Sequence, residues 1–310
     1  MADTYSFVRE VAASCAKLRS YVGIFAKSFQ SDALKLIISA EIVHPSHGMP
    51  TFKPRSADYI RVEIDGQSRK LLRRRAFDQF NASMLGLGDL TRESKPTDAI
   101  AAVFDLEGFT QFCNQIDPHL SVPSFLHPFL SWLMAELRNE MKQKDEEEGV
   151  ALWCPLPFFT KFMGDGLLVI WSSKGLSQAA MRNVIASTWS ICKKYQHDFL
   201  PSLKSKVAEP PSRLRVGLAR GTVYSVGEGN DYVGSCVNMA SRLQKLPGIS
   251  FAFNRRGFDL EDDRTTPFFT DRIITREVSV RGIGDGELVC ILRSEFEKMK
   301  SADKKLYREV

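Results

Sequence analysis

The chain has 310 residues, of which 44% are hydrophobic and 25% charged. That apolar content excludes wholesale disorder and fits one large domain, or a medium domain with an appendage. The formal net charge of +5 is dilute over this length, so it permits anionic ligands without predicting a nucleic-acid partner. The apolar runs at 99–104 and 167–171 fall far short of a bilayer span, and the opening MADTYSFVRE has no apolar signal core. Six cysteines lie scattered at 15, 113, 154, 192, 236 and 290, with no CxxC pair and no Cys/His cluster. The expectation is a reduced, cytoplasmic protein with buried thiols, without a membrane partner, a disulfide framework or a zinc site.

Three parts are expected: an N-terminal extension over 1–95, a larger domain over 96–295 and a charged tail over 296–310. Val8, Val11, Cys15, Leu18, Val22 and Phe25 recur at three- and four-residue steps, which predicts an amphipathic helix that Asp3 or Thr4 can cap. DYIRVEI, then Asp65-Gly66, then QSRKLL reads as a β-hairpin. The run Arg73–Arg75 follows, read as solvated strand-edge and helix-end charge. Residues 85–98 read as a linker.

From 96 onward strands and helices alternate. AIAAVFDL is a buried strand. Val122, Phe125, Leu126, Phe129, Leu133, Leu137 and Met141 form a helical stripe. The acidic run Asp145–Glu148 reads as a solvated helix end. FFTKFMGDGLLVIW is two strands joined by a Gly-Asp-Gly turn, 177–199 is a second helix, and RLRVGLARGTVYSVG returns as strand. The order β-α-β-β-α-β predicts an α+β, ferredoxin-like sheet with helices on one face.

Asp105 ends the first strand and precedes Leu106-Glu107-Gly108-Phe109-Thr110. A carboxylate there, before a glycine turn entering a helix, suits a metal–phosphate complex, with backbone N–H groups of the turn meeting phosphate oxygens. It equally suits an N-cap. Asp165 sits in a turn whose Asp-Gly sequence favours turning by itself. In a ferredoxin-like sheet, however, strand one lies between strands three and four, so this turn can face the Asp105 end. Two aspartates would then offer hard oxygen ligands for Mg²⁺ or Mn²⁺. Asn238 and Arg242 are four apart on a predicted helix and share a face. There an amide and a guanidinium can bind polar groups and neutralise developing phosphate charge, or simply form a solvated face.

Together FDLEGFT at 104–110, KFMGDG at 161–166 and VGLARGTVYSVGEGNDYVGSCVNMASRL at 216–243 resemble the class III nucleotide cyclases in order and spacing. The resemblance implies a cyclase homology domain acting as a head-to-tail homodimer with two composite active sites. It implies conversion of a nucleoside triphosphate to a 3′,5′-cyclic monophosphate and pyrophosphate. It further implies two divalent cations, Mg²⁺ or Mn²⁺, on Asp105, Asp165 and the Leu106 carbonyl, and phosphate contacts at Gly108, Phe109 and Thr110. Asn238 matches the ribose-orienting asparagine and Arg242 the transition-state arginine. Lys161 and Asp231 match the base-reading pair, and Arg281 falls where a triphosphate-binding lysine is common. By the same resemblance Lys161, Asp231, Asn238 and Arg242 face the metal aspartates of the partner subunit.

The Lys161/Asp231 pair alone favours ATP within that family. Phe158, Phe159, Phe162 and Met163 flank Lys161 in sequence, and bulky side chains there would shrink a purine site toward pyrimidine size. The chain also resembles the stand-alone pyrimidine cyclases of bacterial antiphage signalling, which serve a separate cyclic-nucleotide effector. The expected substrate is therefore UTP, with ATP as the alternative. A cyclase-like module that only dimerises or binds nucleotide is the reading from another class.

Overall fold

The computed structural model describes residues 51–115, 117–203, 207–260 and 267–310. The helix expected over Val8–Phe25 lies outside the described residues. The chain forms two compact units that divide between Leu71 and Leu72. The described part of the first carries a two-stranded hairpin, β1 (Tyr59–Ile64) and β2 (Gln67–Leu72, all but its last residue), turned by Asp65-Gly66. Both turn residues have positive φ, 51° and 73°, the left-handed conformation that Asp and Gly tolerate.

The second unit is built on a mixed sheet. Its central four strands are β3 (Pro96–Glu107), β6 (Phe159–Phe162), β7 (Gly166–Ser172) and β8 (Arg213–Val226). They lie in the order β8-β3-β7-β6, the ferredoxin-like order expected from β-α-β-β-α-β. β3 is buried from Ala99 to Leu106 because strands pair with it on both sides and helices cover it. Beyond β8 the sheet continues through β10 (Phe251–Asn254), β12 (Gly284–Leu292), β11 (Ile273–Val280) and β13 (Tyr307–Arg308). β9 (Asp231–Val233) pairs back on the end of β8.

Helices α1 (Phe109–Phe112), α2 (Pro118–Met141) and α3 (Gln178–Lys194) follow the expected positions. α2 buries Phe125, Phe129, Leu133, Leu137 and Met141, one residue per turn. These pack with Ile100, Ala102, Phe104 and Trp171 on one face of the sheet. The opposite face carries Ala99, Ala101 and Val103 and is covered by α4 (Ser235–Leu243) through Cys236, Met239, Ala240 and Leu243. Helices therefore cover both faces, whereas the βαββαβ order alone predicts one. Gly217 on β8 makes this second layer possible. A methyl there would lie 2.5 Å from the Gln244 nitrogen and closer still to the Ala240 carbonyl oxygen.

Several local expectations change. The acidic run is not a helix end: α2 stops at Met141, and the chain enters a small hairpin, β4 (Lys142–Glu146) and β5 (Gly149–Leu152). Its carboxylates remain exposed. The second helix does not run uniformly to 199, because Tyr195–Phe199 forms a π-turn in which the Leu200 N–H donates to the Tyr195 carbonyl. Pro201 follows, with no N–H and a ring that clashes with a regular α-turn, so the wider turn relieves it. The stretch expected as a linker is stitched to the sheet. Lys95 exchanges bonds with Ser225 at 2.9 and 3.1 Å, and the Glu228 N–H donates to the Leu87 carbonyl at 3.0 Å. The charged stretch 296–310 also folds back, burying Tyr307 and adding β13 to the sheet. No helix among the described residues is long and apolar enough to cross a membrane.

Candidate active site

Strand register brings the two aspartates together. Asp105 lies opposite Gly166 in the β3–β7 ladder, and the Leu106 N–H donates to the Asp165 carbonyl at 3.2 Å. The turn needs its glycines. Gly164 has φ 86°, and a methyl on Gly166 would overlap the Phe104 carbonyl oxygen. Asp105 is buried, while Asp165 sits at the more open turn.

Asp105 is not a bare carboxylate. In the β3–β8 ladder it faces Arg215, and Glu107 faces Arg213. Arg215 donates to Asp105 Oδ2 from Nη2 and, at 3.2 Å, from Nε. Arg213 Nε donates to Glu107 Oε2 at 2.7 Å, and Arg215 Nη1 lies 3.9 Å from Glu107 Oε1. Two acids and two arginines thus alternate across adjacent strands as opposite-charge pairs. Sequence reasoning missed Arg213, Arg215 and Glu107. The available signal was the alternation itself: Leu214 and Val216 are apolar and buried around Arg215, just as Phe104 and Leu106 flank Asp105.

Asp105 Oδ1, the Asp165 carboxylate and the Leu106 carbonyl are hard oxygen donors at one end of the sheet. Among the described residues no hydrogen bond occupies Asp105 Oδ1 or the Asp165 side chain. No group of three or more His, Cys, Asp or Glu forms a closed metal cage among the described residues. This donor set fits Mg²⁺ or Mn²⁺, ions that bind through one or two carboxylates and complete their shell with water and substrate oxygens.

Next to Asp105, Gly108 has φ 83° and opens the single turn of α1. The Phe109 ring packs inward near Phe112 and Phe125, at 5.9 and 6.5 Å, so only its backbone faces outward chemistry. Thr110 is exposed.

Lys161 on β6 and Asp231 on β9 are 70 positions apart and form an ion pair through Asp231 Oδ2. Asp231 Oδ1 accepts from the Tyr232 N–H at 2.9 Å, which fixes the carboxylate's orientation. The Tyr232 ring lies edge-on to Phe158 and Phe159, with centroids 5.2 and 5.0 Å away. This corrects one expectation. Phe162 does not share Lys161's side of the strand, because side chains alternate along β6 and Phe159 is the strand aromatic on the same face. Phe162 and Met163 are 45% and 39% exposed. The aromatic wall beside the pair is Phe158, Phe159 and Tyr232; the last, adjacent to Asp231, was not singled out from sequence.

Asn238 and Arg242 are exposed on α4, whose other side packs on the sheet. Neither side chain makes a hydrogen bond or ion pair among the described residues. Arg281 is exposed in the turn between β11 and β12. Among the described residues, no hydrogen bond or ion pair joins Asp105 or Asp165 to Lys161, Asp231, Asn238 or Arg242.

No family model and no curated protein matches the chain. Solved structures do. The guanylyl cyclase Cya2 is 18% identical with a TM-score of 0.44, covering 64% of this chain and 92% of its own. The catalytic core of a rhodopsin-guanylyl cyclase with converted specificity, in complex with ATPαS, is 18% identical with a TM-score of 0.43, covering 65% and 98%. An adenylate/guanylate cyclase/hydrolase from Silicibacter pomeroyi is 16% identical with a TM-score of 0.43, covering 64% and 98%. Likenesses of this strength leave the functional reading to rest on the site's own chemistry.

Proposed function

We propose that this chain is a nucleotide cyclase that converts a nucleoside triphosphate, preferentially UTP, to the 3′,5′-cyclic monophosphate and pyrophosphate. The observation that carries the reading is the juxtaposition of Asp105 and Asp165 at one sheet end, beside Arg213 and Arg215 and with the Lys161–Asp231 pair in the same domain. Anionic oxygens next to arginines suit phosphoryl chemistry, and a Lys/Asp pair flanked by aromatic rings suits a base edge.

Asp105, Asp165 and the Leu106 carbonyl would hold two divalent cations, Mg²⁺ or Mn²⁺, whose chemistry is activation of the ribose 3′ oxygen and neutralisation of the leaving pyrophosphate. Arg215 keeps the Asp105 carboxylate in one orientation. Backbone N–H groups from Gly108 to Thr110 meet phosphate oxygens, and Arg281 adds a cation for the triphosphate. Asn238 orients the ribose, and Arg242 stabilises charge developing at the α-phosphate. These last two, with Lys161 and Asp231, act on the triphosphate held by the partner subunit's aspartates in a head-to-tail homodimer. One feature supports that division: Phe162, Met163 and Val233 leave apolar surface uncovered.

For base choice, Lys161 donates to a uracil carbonyl and Asp231 accepts from N3–H, with Phe158, Phe159 and Tyr232 narrowing the space beside them. The same pair can donate to adenine N1 and accept from its N6 amine, which makes adenylate cyclase the second reading. A separate effector that binds the cyclic product, in bacterial antiphage defence, completes the proposal. The test is incubation of the purified chain with all four ribonucleoside triphosphates in competition, with Mn²⁺, and identification of cyclic products by mass. Cyclic UMP should dominate. Dominant cyclic AMP would overturn the pyrimidine reading, and absence of every cyclic product would overturn the cyclase reading.

A further inference from the structure

A polar cavity of about 340 Å³, lined by neither Asp105 nor Asp165, lies in the second unit. Its floor includes Cys192, Leu214 and Leu292, which belong to the core on the face opposite α4. Three cations line it: Lys193 at the end of α3, Arg272 just before β11, and Lys298 at the end of the helix Arg293–Lys298. The Lys193 ammonium and the Arg272 guanidinium both lie against the Trp189 ring, 5.7 and 5.4 Å from its centroid.

Among the described residues none of these three cations is in an ion pair. Their neighbours differ. Lys194 is held at 2.7 Å by both Glu136 and Glu140, and Arg213, Arg215, Arg276 and Arg308 each have a carboxylate partner. One acid, Glu295, lines the cavity, but its carboxylate already accepts from the Ser250 N–H at 3.0 Å and from the Ser250 hydroxyl. Burial raises its pKa, and both of its oxygens are engaged by Ser250 rather than by a cation of this cavity. A second feature points to the same place. The π-turn Tyr195–Phe199 supplies Gln196 and His197 to the rim. They add an amide and an imidazole to the polar lining.

We propose that this cavity binds a compact anion carrying two or more negative charges, of the phosphate or pyrophosphate class, at a site separate from Asp105 and Asp165. Lys193, Arg272 and Lys298 supply the charge, Arg272 with a planar fork matched to phosphate oxygens. The Trp189 ring holds two of the cations in place.

The test is calorimetric titration of the full chain with inorganic pyrophosphate in EDTA, where metal-dependent binding at the aspartates is suppressed. One site is expected in the native chain. The double substitution Lys193→Gln with Arg272→Gln should weaken it about tenfold or more, while Asp165→Asn leaves it unchanged. Both altered side chains are exposed, and thermal melts verify that the fold persists. A control removes two exposed charges elsewhere, Lys174→Gln with Lys245→Gln, and should keep near-native affinity. The proposal is overturned if pyrophosphate does not bind the native chain, if the pocket variant binds as the native chain does, or if the control loses as much.

Discussion

Replacing Asp105 by Asn tests both the site and the stability it rests on. The pair Asp105–Arg215 is mostly buried, with side-chain exposures of 11% and 20%. At roughly 3 Å and an effective dielectric of about 20, the gross attraction is about 5 kcal/mol. Desolvation of both ions offsets much of it. Removing one partner from a fully buried pair costs about 3–5 kcal/mol, because the other charge is stranded. Here Arg215 keeps Glu107 at 3.9 Å and some solvent, so the expected loss is smaller, about 2 kcal/mol. That is a factor of about 30 in the folding equilibrium. Urea denaturation at neutral pH and low salt measures it, since urea does not screen charge. A cycle with Arg215→Gln and the double variant isolates the pair, with an expected coupling of about 1.5 kcal/mol. Asp105→Asn should lose cyclase activity under conditions where it is still folded. A coupling below about 0.5 kcal/mol would refute the assignment of Arg215 as the group that orients Asp105.

If the proposed head-to-tail homodimer holds, mixed dimers of Asp105→Ala and Arg242→Ala should regain activity after subunit exchange, because one of its two sites would then be intact; verified heterodimers that stay inactive would exclude shared sites. Gly217→Ala should destabilise the domain by about 1–3 kcal/mol and lower turnover, since the methyl pushes α4, with Asn238 and Arg242, off the sheet; thermal melts and kcat report the two effects. Thiol alkylation followed by peptide mass mapping should label Cys113 well before Cys154, Cys236 and Cys290, whose thiols burial pushes up to about 11, and Cys192, pushed up to about 12. The folded pKa is raised, so at mildly alkaline pH the thiolate is roughly a thousandth of the population or less, and labelling should accelerate only on unfolding or at much higher pH.

Strand and helix order were legible in the sequence because each rests on local periodicity. The run Ala99–Phe104 reads as a strand covered on both faces, and the four-residue rhythm Phe125, Phe129, Leu133, Leu137, Met141 is the buried stripe of α2. Asp105 and Asp165 were visible for the same reason, since a strand end and an Asp-Gly turn are local features. The π-turn was less legible. Its cause, Pro201, is local, but the response is a choice among several ways of relieving a proline.

What the sequence by itself determined is therefore the order of the β-α-β-β-α-β elements, the topology that follows from it, and the positions of individual polar residues within those elements. Beyond the Asp105/Asp165 and Lys161/Asp231 juxtapositions already expected, tertiary structure decided which of them meet. Arg215 reaches Asp105 only through the β3–β8 register, 110 positions apart, and a slip of one residue would turn the arginine to the other face of the sheet. Phe159 rather than Phe162 shares Lys161's face through the pleat of a strand whose ends the sequence did not mark. Lys193, Arg272 and Lys298 converge on one cavity from three separate elements, the first two against Trp189, a relation that no periodicity encodes, because it depends on how the layers pack rather than on any local repeat.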